Sequence, residues 1–143
     1  MASRYYIEAS INCVFIQHFD EIVVGRVGPS MSEVFEDSHY CVGMNFLHDA
    51  TQSTFTENID TNAIIERRRL NRNIIDPQIG TCRIAWVVGS RTDYGLMHRF
   101  AVYNRSNKVE RKPFRETEKA RIWLDIPEGY EIKHPTPEKL VSY

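Results

Sequence analysis

Cysteine, glycine and charge of one sign are all in short supply in this chain, and each shortage removes a class of function. Its three cysteines, Cys13, Cys41 and Cys82, contain no Cys-x-x-Cys pair. That argues against a zinc ribbon and against a redox dithiol. The five histidines include no His-x-x-x-His spacing, so no metal site is expected of them. The seven glycines are scattered, and no Gly-rich loop stands ready to cradle a phosphate. Serines and cysteines lack the nucleophile-elbow context. The longest unbroken apolar run, Ile84 to Val88, falls far short of the roughly 20 residues that cross a bilayer. No basic stretch followed by an apolar core opens the chain, so no secretory signal is read and a cytoplasmic location is expected. Net charge is -1, so no global field draws nucleic acid or an acidic membrane, and neither is expected as a partner.

What remains is an ordinary globular composition. With 143 residues, 42% of them hydrophobic, the chain is long enough to bury roughly 70% of its unfolded surface in one domain. That domain is expected over residues 1–126. Pro127, Pro135 and Pro137 break up the remaining 127–143 into a tail expected to lie over the surface. Cys13 and Cys82 fall in apolar strand-like runs, and all three cysteines read as packing residues.

The pattern along the chain alternates strands and helices. Tyr5 to Glu8 and the β-branched run Cys13 to Gln17 read as strands joined by the turn residues Ser10 to Asn12. From Asp20 to Asp37 two readings compete: one helix kinked at Pro29, or a shorter helix starting at the capping box Ser30 to Glu33. Gly43 to Asp49 reads as a third strand. Asp60 or Thr61 caps a helix running to about Ile74, ended by Pro77 and Gly80. Cys82 to Val88 is apolar almost throughout, as in a central strand covered on both faces. Ser90 to Asp93 is another capping box, opening a helix with Leu96, Met97, Phe100 and Tyr103 inward. Lys108 to Phe114 mixes charges with Pro113, which confines it to a sheet edge. A last helix from Glu116 buries Ala120, Trp123 and Leu124. The order β-β-α-β-α-β-α-β-α predicts an α/β fold, a mixed sheet of about five strands covered by helices.

At this point the residues resemble a known family. Val14-Phe-Ile16, Asp37-Ser-His-Tyr40, Gly43-Met-Asn-Phe-Leu-His-Asp49, Arg83-Ile-Ala-Trp-Val-Val88 and Tyr94-Gly-Leu-Met-His-Arg-Phe100 carry the likeness. So does the closing Pro113-Phe-Arg-Glu-Thr-Glu-Lys-Ala-Arg-Ile-Trp-Leu124. Together they are similar to small proteins of the STAS fold, the fold of the anti-sigma-factor antagonist of sporulation and of sulfate-transporter tails. The resemblance implies one helix filling the space before Asp37, which favours the kinked helix over the shorter one. It implies a docking module, in the best-understood cases switched by phosphorylation of a serine at the start of the second helix. Asp60-Thr61-Asn62-Ala63 occupies that place here. Thr61 supplies one hydroxyl, but the second hydroxyl and the glycine of the family's turn are missing, which argues against the switch. Some relatives are grouped with lipid-binding domains of the CRAL-TRIO type.

Candidate site residues follow from the rule that open α/β sheets bind ligands beyond the carboxyl ends of their strands. Two polar loops leave such ends: His48, Asp49, Thr51 and Ser53 in the first, Ser90, Arg91 and Asp93 in the second. Asp60 and Thr61 at the start of the second helix join them. In the second loop, free helix N–H groups with Arg91 could hold an anion, or Ser90 and Asp93 could simply cap the helix. His48 and Asp49 point to opposite faces of a strand, so an enzyme would need His48 to meet Asp93 or His98 instead. The cluster Arg67, Arg68, Arg69 and Arg72 reads as a solvated helix face.

The reading that results is a non-enzymatic interaction module without cofactor, taking a protein partner or forming a homodimer. The alternative is a binder of a small anionic or lipid-like ligand. A ligand binder calls for a closed apolar cavity of several hundred Å³. A docking module calls for a filled core and an exposed patch.

Overall fold

The computed structural model describes residues 2–22, 31–55, 61–133 and 140–142. Ala2–Glu8 (β1) and Cys13–Ile22 (β2) pair antiparallel, with Tyr5 opposite Ile16. Asn12 closes the turn between them at φ 55°, a left-handed conformation that asparagine tolerates better than most residues. The kinked helix expected from Asp20 is not formed, because Asp20–Ile22 belong to β2 and pair with Ser53–Phe55. Those backbone groups are spent in a ladder and cannot begin a helix. The part of that reading on 23–30, Pro29 included, lies outside the described residues. Met31–Glu36 (α1) buries Met31 and Val34, so both described ends match a shorter helix after an extended segment.

Asn45–Ala50 (β3) and the short Ser53–Phe55 (β4) follow one another along the same side of β2, both parallel to it. Thr61–Leu70 (α2) does not stop near Ile74. It continues through a π turn, Asn71–Ile75, into Asp76–Ile79 (α3). Pro77 stands at the start of α3, where its missing N–H is tolerated. Gln78 turns back to satisfy the carbonyl of Ile74 (Nε2 to O, 2.8 Å). Gly80, at φ 77°, ends the run, and a Cβ there would lie 2.5 Å from Val42 Cγ1.

Cys82–Val88 (β5), Arg91–Tyr103 (α4), Val109–Phe114 (β6), Thr117–Trp123 (α5) and Leu140–Ser142 (β7) complete the order. The sheet runs β6-β5-β3-β2-β1-β7, with β4 beside β2. β2, β3, β5 and β6 are parallel; β1 is antiparallel to β2 and to β7. The five expected strands are present, with β4 and β7 added. β5 is central and β6 an edge, as the apolar run and Pro113 imply.

Alternation along the strands divides the core in two. Val14, Ile16, Phe46, Ile84, Trp86 and Val88 face the side covered by α1, α3 and α4. Cys13, Phe15, Leu47, Ala85 and Val87 face Ala120 and Leu124 at α5, with Ile126, Tyr130 and Ile132 packed beyond. Tyr103, expected inward, is 43% exposed, and Cys41 is exposed rather than packed. No helix among the described residues is long and apolar enough to cross a membrane.

Candidate functional site

The two predicted loops lie side by side: a Cβ on Gly89 would meet the Thr51 carbonyl at 3.0 Å. Most of their polar groups are already used. Asp49 Oδ1 accepts from the Thr51 N–H (3.0 Å) and hydroxyl (2.6 Å). Ser90 Oγ accepts from the Asp93 N–H (3.1 Å), the cap that the sequence pattern predicts. Ser90→Ala is therefore expected to cost about 1 kcal/mol, read as a lower urea midpoint at unchanged slope. Asp93 and Ser53 are buried, and the Ser53 hydroxyl has no hydrogen-bond partner among the described residues. Arg91 is exposed. Thr61 begins α2; Asp60, and the side chain of Thr61, lie outside the described residues.

His48 does not hydrogen-bond to Asp93 or His98. His98 is on the exposed side of α4 beside Tyr94. The partner of His48 is His18, Nε2 to Nδ1 at 2.9 Å. Register explains the meeting: Ile16 is opposite His48, so His18, two residues along β2 on the same face, is its diagonal neighbour. Trp86 is directly opposite His48 on β5 and stacks on it at 3.9 Å and 3°. Burial pushes His18 down to about 3. It holds His48 well below its ordinary value, helped by His18 and by the charges of Arg67 and Arg111. Both rings are neutral at pH 7 and share one proton between their facing nitrogens.

Arg67 was expected on a solvated face and is 8% exposed instead. The π turn accounts for this. Arg67, Asn71, Ile75 and Ile79 recur every four residues, and in an ideal α-helix such a row drifts by about 120° over its length. One surplus residue in the π turn removes about 100° of that drift. The four side chains then share one wall of a pocket over the sheet, with Phe46, His48, Trp86, Met97, Phe100 and Arg111 around it. Its interior is about 50 Å³. Arg111 enters from β6, paired with Asp76 at 2.6 Å. Arg68 and Arg72 face outward into a polar surface basin with Arg105.

A larger groove, about 420 Å³, runs along the open edge of β6. Tyr94, His98 and Val102 of α4 form one wall and Trp123 of α5 the other. The Cys82 N–H bonds the Lys108 carbonyl at 3.0 Å. Alternation in a parallel ladder therefore turns Glu110, Lys112 and Phe114 to β5 and leaves the backbone groups of Val109 and Arg111 pointing outward. Pro113 falls at an outward position, where its missing N–H costs no ladder bond. No group of three or more His, Cys, Asp and Glu that could hold a metal occurs among the described residues.

Neither a family model nor a curated protein matches this chain. Among solved structures it is similar to an uncharacterised protein of the DUF3478 family, with a SpoIIAA-like fold, from Shewanella loihica. Identity is 14%, the match covers 85% of this chain and 93% of that one, and the TM-score is 0.55. The chain has the SpoIIAA-like, or STAS, fold.

Proposed function

We propose that this chain is a non-enzymatic docking module that takes an extended, acidic segment of a partner protein along β6. The observation that carries the reading is the contrast in free volume: about 50 Å³ at the inner pocket against about 420 Å³ along the open edge. A lipid-like ligand needs several hundred Å³, which the inner pocket lacks among the described residues. The edge offers what strand addition uses, outward main-chain groups flanked by side-chain walls. Tyr94 and Val102, 38% and 44% exposed, supply apolar contact. Arg105 and Lys112 outnumber Glu110 along the groove, and this charge balance selects an acidic segment over a basic one. Lys112 and Pro113 guard the edge against indiscriminate pairing, so the contact is short and depends on its side chains.

The test is selection from a displayed random-peptide library on the wild-type protein, counter-selected on Val102→Glu. Val102 is on the surface, so the substitution is expected to leave stability within about 0.5 kcal/mol. Enriched peptides should alternate Asp or Glu with apolar residues and shift the amides of Val109 and Arg111 in NMR spectra. Val102→Glu should weaken them at least about tenfold, the effect of one lost apolar contact plus a like charge. Equal enrichment on the variant, unmoved β6 amides, or a self-paired dimer occupying the edge would each overturn the proposal.

A further inference from the structure

The inner pocket is too small for a lipid, yet its polar groups are incompletely used. Asn71 is 3% exposed. Its amide is oriented by a chain of bonds: Asn104 Nδ2 donates to the Phe100 carbonyl (2.9 Å), so Asn104 Oδ1 accepts from Asn71 Nδ2 (2.7 Å). Asn71 Oδ1 is then left as an acceptor without a donor among the described residues. A buried acceptor left unmatched is destabilising until a donor reaches it. His48 spends Nδ1 on His18, and its Nε2 has no hydrogen-bond partner among the described residues. Two buried guanidinium groups, those of Arg67 and Arg111, complete the polar side of the wall; Ile75, Ile79, Met97 and Phe100 make up much of the rest.

We propose that this pocket binds a small hydroxycarboxylate, its carboxylate against Arg67 and His48 Nε2 and its hydroxyl donating to Asn71 Oδ1. An anion without a hydroxyl, such as chloride or acetate, offers no donor to Asn71 Oδ1. The interior of about 50 Å³ holds about three to five non-hydrogen atoms at about 10–15 Å³ for each water-sized group. An acceptor at Nε2 selects the tautomer in which that nitrogen carries the proton and His18 donates to Nδ1. Access is built in as well. Asn71 also borders the outer basin, where Arg68, Arg72 and Arg105 gather positive charge. Asp76 of that basin holds Arg111 of the pocket, so the Asn71–Asn104 and Asp76–Arg111 pairs form the partition between the two. A cationic basin of this kind concentrates anions at its floor.

The probe is sodium glycolate, with acetate and chloride at matched ionic strength, followed by the ring ¹⁵N signals of His48. Glycolate should bind saturably and move His48 to the Nε2-protonated tautomer. It should bind about fivefold more tightly than acetate, the effect of one hydrogen bond. Asn71→Leu should erase that preference, and Arg67→Met should weaken both carboxylates about tenfold or more, the effect of a charge-assisted bond. Should either variant fail to fold, the glycolate preference and the wild-type His48 signals decide alone. No saturable response, or an equal response to chloride, overturns the proposal. Peptide binding at β6 is read at other residues, so either proposal can fail without the other.

Discussion

Between pH 6.5 and 4.5 the protein is expected to lose about 2 kcal/mol of stability through His18, and His48 adds to that loss in the same direction. In the unfolded chain both imidazoles titrate near 6.5. In the fold, burial lowers His18 to about 3 and holds His48 well below 6.5. The unfolded state therefore binds more protons throughout this range, and linkage makes stability rise with pH. The His18 contribution is whole above 6.5 and is lost as pH falls toward 3, at about 1.4 kcal/mol per pH unit. Even the His18 share is a sizeable fraction of the stability of a modest domain. Urea unfolding at pH 7.5, 5.5 and 4.5 reads the slope, and His18→Gln or His48→Gln should each flatten it by about one proton. Variant and wild-type profiles running parallel would sink the assignment.

Arg111→Met is expected to cost about 3 kcal/mol. The guanidinium is 7% exposed and bonds both Asp76 (2.6 Å) and the Asn104 carbonyl (3.2 Å). Asp76, 17% exposed, would keep its charge without its cation, and breaking one member of such a pair costs more than removing both. The double variant Asp76→Asn with Arg111→Met should therefore be less destabilised than the sum of the singles, by about 1–3 kcal/mol. Additive costs in chemical denaturation would mean that the pair is no more than a solvated contact.

Much of the fold was legible because its strongest signals are local. The unbroken run at β5 and Pro113 at β6 each state a place in the sheet, and Ser90 states a helix start. β4 and β7 were not legible, since three residues carry too little pattern to separate a strand from a loop. The site was harder. His48 could be singled out, but its partner is 30 residues away and depends on the register of two strands joined by a crossover. Asp93 and His98, the partners expected across the loops, lie on α4 and make no hydrogen bond to His48 among the described residues. Arg67 was misplaced because a run of arginines spread around a helix is ordinarily solvated, and a single surplus residue brings this one in. The row of four at Arg67, Asn71, Ile75 and Ile79 was the available signal. A spacing of four sustained over three steps fits a π-containing helix better than an ideal α-helix.

β7 pairs with the first residues of β1, Ser142 beside Ala2 and Leu140 beside Arg4. Closing a loop that long costs about 3 kcal/mol more chain entropy than closing the β1–β2 hairpin. While the chain is being made, the outer side of β1 therefore has no partner until residue 142 has left the ribosome. The β1–β2 ladder and the α1 side of the core can form earlier. For that interval a nascent chain displays a second open edge, and β1 is the strand on which neighbouring chains on one messenger would first pair wrongly.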